Sequence, residues 1–111
     1  HAFGVPVVGS RASDRPGPES VAYVARPDEL LVLAREADFV INAAPLTPAT
    51  RGVFDRRFFE TLKPGAYFIN VGRGESADTD ALLAALRSGR LAGAGLDVTD
   101  PEPLPPNHPL W

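Results

Sequence analysis

The fold is decided by an apolar run that leads into a glycine-bearing turn: Ala66-Tyr67-Phe68-Ile69-Asn70-Val71-Gly72-Arg73-Gly74. A short run of apolar, aromatic and β-branched residues that ends in turn residues is typical of a buried strand. A similar run lies earlier in the chain, Phe39-Val40-Ile41-Asn42-Ala43, and another lies later, at residues 93–98. Helical patterns separate the three runs. This alternation predicts an α/β domain with a parallel sheet.

The rest of the chain extends the same alternation toward the N-terminus. Residues 5–9 and 21–24 are predicted to form two shorter strands, joined by a polar, proline-rich loop at residues 10–20. The chain offers four helix starts with capping residues or proline at the first position. These starts are Pro27, the pair Thr47-Pro48, Asp55, and Asp78 or Thr79, with Gly89 ending the last helix and Phe58, Phe59 and Leu62 facing the core.

Composition and charge exclude several classes of function. The net charge is −3, whereas a nucleic-acid binder carries a basic face. The chain has no cysteine, which excludes disulfides, cysteine-ligated zinc and a thiol nucleophile, and which fits a reducing compartment. The apolar runs are too short to span a bilayer. We therefore expect a cytoplasmic protein without nucleic-acid or membrane partners.

Three candidate side chains follow the carboxyl ends of the predicted strands, the edge where open parallel sheets bind ligands. Arg73 lies between two glycines, and its planar guanidinium suits a carboxylate or a phosphate. Taken alone, it is equally well a surface arginine in a tight turn. Asp97 is either a ligand contact or the cap of the following turn. Glu102, between Pro101 and Pro103, is either held in place by its rigid neighbours or a solvated loop residue.

The sequence gives little indication of a catalytic histidine, a metal site or a phosphate-binding loop. His108 is a loop histidine with no partner nearby in sequence, and no group of residues has metal-ligand spacing. No glycine-rich phosphate loop is present, because the nearest pattern, Gly93-Ala94-Gly95, lies inside a predicted strand and opens no helix.

A series of short motifs runs along the whole chain. In order they are Ala37-Asp38-Phe39-Val40, Pro45-Leu46-Thr47-Pro48-Ala49-Thr50, Lys63-Pro64-Gly65-Ala66, Asn70-Val71-Gly72-Arg73-Gly74, Ala81-Leu82, Ala84-Ala85-Leu86, Ser88-Gly89, Leu91-Ala92-Gly93-Ala94-Gly95-Leu96-Asp97-Val98 and Glu102-Pro103-Leu104. The ordered series resembles the cofactor-binding domain of the D-isomer-specific 2-hydroxyacid dehydrogenases, a family that includes glyoxylate and hydroxypyruvate reductases. The resemblance implies a Rossmann-type doubly wound parallel sheet.

The resemblance also implies roles for single residues. Arg73 matches the family arginine that holds the substrate carboxylate and polarises the carbonyl being reduced. Glu102 matches the glutamate that pairs with a catalytic histidine, and Asp97 matches a contact to the nicotinamide carboxamide. Four further positions match residues that line the cofactor, and these are Ala44, Pro45, Val71 and Gly72.

The end of the first predicted strand bears on the choice of cofactor. Family members that use NAD usually carry an acidic residue here, which bonds the adenosine ribose hydroxyls. This chain has Ser10 and Arg11 instead, and a hydroxyl with a cation fits a 2′-phosphate better. We therefore expect an NAD(P) cofactor, with NADPH favoured over NADH.

The resemblance further implies that part of the domain lies outside these 111 residues. The chain starts at His1 and has no methionine, and we expect the glycine-rich turn and the central first strand before it. The catalytic histidine is expected after Trp111, and the substrate-binding domain is absent. Residues 1–111 are then a partial NAD(P)-binding domain, inactive alone. With the central strand missing, residues 5–9 should not pair with residues 39–43.

The favoured function is hydride transfer between NAD(P)H and a small 2-oxo or 2-hydroxy acid of the glyoxylate or hydroxypyruvate type. The complete protein is expected to be a homodimer, as family members typically are. One alternative is a corepressor-like protein of the same fold that binds the cofactor as a sensor. Another is an unrelated doubly wound binding domain.

Overall fold

The computed structural model describes residues 3–13 and 15–111, so that one position of the predicted 10–20 loop lies outside the described residues. The strands are β1 (Val8–Ser10), β2 (Tyr23–Ala25), β3 (Phe39–Asn42), β4 (Ala66–Asn70) and β5 (Leu91–Leu96). The helices are α1 (Leu30–Glu36), α2 (Arg56–Thr61) and α3 (Thr79–Arg87), with single 3₁₀ turns at Pro27–Glu29 and Gly74–Ser76. The elements alternate as an α/β domain requires.

The strands form two parallel sheets. β1 pairs with β2 in one sheet, and β3, β4 and β5 form the other in that order. Among the described residues no ladder joins β1 to β3, and this confirms the expectation that these two strands do not pair. β1 and β3 are therefore each an open sheet edge in this structure.

Two aspartates start α2 and α3 as predicted. The Phe58 N–H donates to Asp55 Oδ1 at 2.8 Å, and the Ala81 N–H donates to Asp78 Oδ1 at 2.9 Å. Each carboxylate satisfies a backbone donor that has no partner inside the helix. Gly89 follows α3 with a φ of 76°, the left-handed conformation that glycine adopts after a helix.

One face of the β3–β5 sheet carries the core. Phe54, Phe58, Phe59 and Phe68 are buried and meet edge to face, with ring centroids 4.8–5.5 Å apart in the closest pairs. Edge-to-face contact adds a favourable quadrupole interaction to the burial of each ring. This aromatic cluster fixes α2 against β4, the strand that leads into the Arg73 turn.

The opposite face of this sheet is open. Phe39 and Ile41 are 62% and 65% exposed, and the Phe39 ring stacks on the Tyr67 ring with centroids 5.2 Å apart. Parallel sheets normally have both faces covered, so an exposed apolar face on a parallel sheet is unusual.

None of the described helices is long and apolar enough to cross a membrane.

The prediction of a helix beginning at Thr47-Pro48 is wrong. Residues around Thr47 form a turn, in which the Thr47 N–H donates to Thr50 Oγ1 at 2.8 Å. The Thr50 hydroxyl in turn donates to the Pro45 carbonyl at 2.7 Å. Threonine side chains cap helices and close turns by the same hydrogen bonds, and here they close a turn.

Several element bounds also differ from the predicted ones. β1 begins at Val8 rather than at residue 5, and Pro27 opens a 3₁₀ turn before α1 begins. β5 ends at Leu96, so Asp97 lies one residue beyond the strand. That last shift places Asp97 in the turn after β5, with the other candidate residues.

Candidate functional site

The turns that follow β3, β4 and β5 meet at the carboxyl edge of the sheet. The Val71 N–H donates to the Asn42 carbonyl at 2.9 Å, and the Asp97 N–H donates to the Asn70 carbonyl at 3.0 Å. These bonds carry the ladder one residue past each strand. The three turns are thereby held side by side, as the sequence predicted for a parallel sheet.

Arg73 lies between two close backbone contacts. A Cβ atom at Gly72 would lie 2.8 Å from the Ala44 carbonyl oxygen, in the turn after β3. A Cβ atom at Gly74 would collide with the carbonyl of Thr99, in the turn after β5. Both glycines are therefore required by close approach rather than by a left-handed backbone. They let the Arg73 turn fit between its two neighbours.

The Arg73 side chain is exposed and therefore accessible to a ligand. Its backbone is extended, with φ −138° and ψ 141°, and its Nη1 donates to the Gly72 carbonyl at 2.8 Å. A guanidinium has five N–H donors, so most of the fork remains available. An exposed cation with a bidentate face at this edge is suited to a carboxylate or phosphate.

The two candidate carboxylates lie in the turn that packs against Gly74. Glu102 is exposed, and its Oε2 accepts from the Thr99 N–H at 3.3 Å, while the Asp97 side chain is exposed beside Leu96. No hydrogen bond or ion pair joins Arg73 to either carboxylate in the part of the chain that the structure describes. The Arg73 guanidinium and the Asp97 and Glu102 carboxylates therefore follow the same edge of the sheet, and all three side chains are exposed to solvent.

The turn after β3 supplies the remaining predicted contacts on this edge. The Ala44 N–H donates to Asn42 Oδ1 at 3.1 Å, and the Pro45 carbonyl accepts from the Thr50 hydroxyl. Pro45 and Val71 are exposed, whereas Ala44 is half-buried and Gly72 is buried. These positions give an apolar rim beside Arg73.

Ser10 ends β1, in the other sheet, and Arg11 follows it. Arg11 borders an open cleft of about 440 Å³ that Arg15, Arg26 and Tyr23 also line. Arg11 Nη2 donates to the Pro16 carbonyl at 2.8 Å, but its Nε is buried without a partner. Arginine side chains around one open cleft favour an anion there.

Tyr23 and Glu29 form a polar pair at the same cleft. The Tyr23 hydroxyl donates to Glu29 Oε1 at 2.7 Å, and the Arg26 N–H donates to Glu29 Oε2 at 2.9 Å. The hydrogen bond to Glu29 raises the pKa of Tyr23. The Arg26 backbone N–H, followed by the Tyr23 hydroxyl, lowers the pKa of Glu29. These two hydrogen bonds favour the ionised form of Glu29, and each of its carboxylate oxygens accepts one of them.

His108 lies outside the Arg73 edge. It borders a second cleft of about 430 Å³ together with Asp78, Asp80 and Asp100, and its Nδ1 accepts from the Leu110 N–H at 3.3 Å. Within residues 3–13 and 15–111 no group of three histidine, aspartate or glutamate side chains is placed to hold a metal.

Two residues of the site were missed by sequence reasoning. Asn42 and Asn70 are buried at the ends of β3 and β4, and their side chains bond to the turns that carry Ala44 and Arg73. The signal was an asparagine closing each apolar run. Whether the two asparagines bond to each other depends on the register between β3 and β4, and the sequence alone does not give that register.

Glycine-bearing turns meet at the carboxyl edge of the β3–β5 sheet, and arginines line a cleft at the end of β1 in the second parallel sheet. This arrangement is typical of a dinucleotide-binding domain. The family described as D-isomer specific 2-hydroxyacid dehydrogenase, NAD binding domain, matches residues 1–111. The chain therefore belongs to that family.

Known relatives agree with this assignment. The human glyoxylate reductase/hydroxypyruvate reductase is 48% identical over an alignment of 101 residues, and the match covers 86% of this chain and 30% of that protein. A crystal structure of a D-isomer specific 2-hydroxyacid dehydrogenase from Xanthobacter autotrophicus Py2 superposes with a TM-score of 0.92 at 40% identity, covering 99% of this chain and 36% of that one. The NADPH-dependent glyoxylate/hydroxypyruvate reductase from Sinorhizobium meliloti, in complex with NADP and sulfate, gives 0.90 at 37% identity, with the same coverage. The chain spans about a third of the length of such relatives.

Proposed function

We propose that the protein carrying this chain is an oxidoreductase that transfers hydride between NAD(P)H and a small 2-oxo or 2-hydroxy acid of the glyoxylate or hydroxypyruvate type. The observation that carries the proposal is the placement of Arg73, an exposed guanidinium fitted between the turns after β3 and β5. The human and Sinorhizobium relatives, named for glyoxylate and hydroxypyruvate reduction, support this choice of substrate.

Arg73 is the proposed substrate-binding and catalytic cation. Its fork would hold the carboxylate of the 2-oxo acid and place positive charge beside the carbonyl oxygen as that oxygen becomes an alkoxide. Its hydrogen bond to the Gly72 carbonyl restrains the side chain without neutralising its charge. The guanidinium is therefore held in place before the substrate arrives.

Glu102 is the proposed partner of a histidine that the complete protein supplies. A carboxylate beside an imidazole raises the pKa of the imidazole and orients it as a proton donor. In this structure the Thr99 N–H holds one oxygen of Glu102, which leaves the other oxygen for that partner. Asp97 is proposed to contact the nicotinamide carboxamide from the adjoining part of the turn.

The residues of the chain fit an NADP-type cofactor. Arg11 and Arg15 line the open cleft at the end of β1, and their guanidinium groups would be the partners of a 2′-phosphate there. Ser10 adds a hydroxyl at the same strand end, and the turns with Ala44, Pro45, Val71 and Gly72 would line the rest of the cofactor. When bound, the cofactor supplies the hydride. We therefore propose NADPH as the preferred cofactor over NADH.

The 111-residue chain is proposed to be a partial NAD(P)-binding domain and to be inactive when prepared alone. Its relatives are about three times as long, and its two sheets are not joined among the described residues. The complete protein is proposed to act in the cytoplasm as a homodimer on a small-molecule substrate.

The proposal is tested with the complete protein by following NADPH oxidation with glyoxylate and with hydroxypyruvate. Arg73→Ala should lower kcat/KM by about 10²–10³-fold, since it removes the charge that stabilises the developing alkoxide. Arg57→Ala, which alters an exposed arginine on α2, should leave the rate unchanged. Tight cofactor binding without turnover of either acid would contradict the proposal and favour a cofactor-sensing protein.

A further inference from the structure

Two asparagines close the neighbouring strands β3 and β4 at the same level of the sheet. Asn42 and Asn70 are register partners, and they are 3% and 1% exposed. An amide buried to this degree is costly unless its donors and acceptors are bonded. The hydrogen bonds of these two side chains therefore indicate the role of the pair.

The two amides bond to each other and to the turns beyond them. Asn42 Nδ2 donates to Asn70 Oδ1 at 2.8 Å, and the Gly72 N–H donates to the same oxygen at 3.1 Å. Asn70 Nδ2 donates to the Arg73 carbonyl at 3.0 Å. On the other side, the Ala44 N–H donates to Asn42 Oδ1. One continuous set of hydrogen bonds thus links the Ala44 turn to the backbone of Arg73.

Steric contact reinforces these bonds. A Cβ atom at Gly72 would lie 2.9 Å from Asn42 Nδ2, so the backbone before Arg73 rests directly on the Asn42 amide. The Arg73 side chain in turn donates to the Gly72 carbonyl. Asn70 holds the backbone on both sides of the arginine, and Asn42 holds Asn70. A shift of either amide must therefore move the guanidinium.

We propose that Asn42 and Asn70 are a pair of positioning residues that set the Arg73 guanidinium relative to the cofactor-lining turn at Ala44. This inference rests on the catalytic role proposed for Arg73. Neither amide faces the ligand side, because both are buried and their polar atoms are bonded to backbone or to each other. Their effect passes through Arg73, since a misplacement of about 1 Å at a catalytic group costs on the order of 10²-fold in rate.

The test is a double-mutant cycle on the complete protein. Asn70→Asp retains an acceptor for the Asn42 amide and the Gly72 N–H but loses the donor to the Arg73 carbonyl. It should lower kcat/KM for glyoxylate by about 10–100-fold when Arg73 is present. In the Arg73→Ala background the same substitution should cost less than about threefold, because residues that act through one group are not additive. Asn107→Asp, in an exposed loop, is the matched control and should change little.

Each outcome decides a different question. Equal losses from Asn70→Asp with and without Arg73 would overturn the positioning role, as would full activity of Asn70→Asp. If Arg73→Ala alone keeps full activity, the proposed function fails instead. Should Asn70→Asp not fold, Asn42→Leu enters the same cycle, since it removes the donor to Asn70 Oδ1 while keeping a side chain of similar size.

Discussion

Gly74 lies directly against the backbone carbonyl of Thr99, so closely that no side chain fits between them. This contact joins the turn after β4, which carries Arg73, to the turn after β5, which carries Glu102. The proposed substrate-binding arginine and the proposed partner of the catalytic histidine are therefore set relative to each other by backbone packing. Among the described residues no side-chain bond between Arg73 and Glu102 does so.

Gly74→Ala should separate these two turns. Inserting a methyl group into a close-packed site typically costs about 1–3 kcal/mol of stability. We expect kcat/KM of the complete protein to fall as well, by about 10²-fold, because Arg73 and Glu102 move apart. Denaturant unfolding and steady-state kinetics with glyoxylate measure the two effects. Glu60→Ala, which alters an exposed side chain on α2, is the control. Equal behaviour of the two variants would disprove the steric argument.

Ser76→Ala should stabilise the protein. Ser76 is fully buried just after the Arg73 turn, and its Oγ has no hydrogen-bond partner. Because a buried unsatisfied hydroxyl costs about 1–3 kcal/mol, its removal should raise the free energy of unfolding by about 1 kcal/mol. Urea unfolding of the two proteins measures the difference. Ser88→Ala should have the opposite sign, since the Ser88 hydroxyl donates to the Ala85 carbonyl at 3.1 Å. A clear loss of stability in Ser76→Ala would show that the hydroxyl is bonded.

The Tyr23–Glu29 pair should make stability depend on pH at the acid side. The folded protein lowers the pKa of Glu29, first through the Arg26 N–H and second through the Tyr23 hydroxyl. The stabilisation is therefore present above the ordinary carboxyl pKa and is lost as the pH falls through the lowered value. Tyr23→Phe should raise the pKa of Glu29 only part of the way, because the Arg26 N–H remains.

NMR titration of the Glu29 carboxyl carbon measures that shift. Tyr67→Phe, which alters the tyrosine stacked on Phe39, should leave the Glu29 titration where it is. The stability difference between Tyr23→Phe and the unaltered protein should be larger at pH 7 than below the lowered pKa of Glu29. A difference of the same size at both pH values would contradict the assignment.

The parts of the fold that depend on local chemistry were predictable from the sequence. Asp55 and Asp78 each precede a helical apolar pattern, and an aspartate there accepts from the first free N–H groups. The β-branched and aromatic runs gave β3 and β4 within one residue of their ends. Parallel strands end at one edge of a sheet. The apolar runs of β4 and β5 therefore predicted that Arg73, after β4, and Asp97 and Glu102, after β5, lie at the same edge.

The parts that depend on contacts between distant segments were not predictable. The sequence shows a glycine on each side of Arg73 but not the reason, which is that the Ala44 and Thr99 backbones leave no room for a side chain at Gly72 and Gly74. The Asn42–Asn70 bond exists only in the register that places the two residues opposite each other. Thr47 illustrates a third limit, because its hydroxyl serves a helix cap or a turn equally well, and only the surrounding chain decides.

The preference between NADPH and NADH should depend on Arg11. In the complete protein we expect a higher kcat/KM with NADPH than with NADH. Arg11→Ala should reduce the ratio of kcat/KM with NADPH to kcat/KM with NADH by about 10–100-fold. This is the effect expected for the loss of one charge-assisted hydrogen bond of about 1.5–3 kcal/mol. The change should come from the KM for NADPH, with the kinetics of NADH nearly constant, because only the 2′-phosphate needs the cation. Arg57→Ala, on α2, should leave the ratio unchanged. A higher kcat/KM with NADH in the unaltered protein would refute the cofactor assignment.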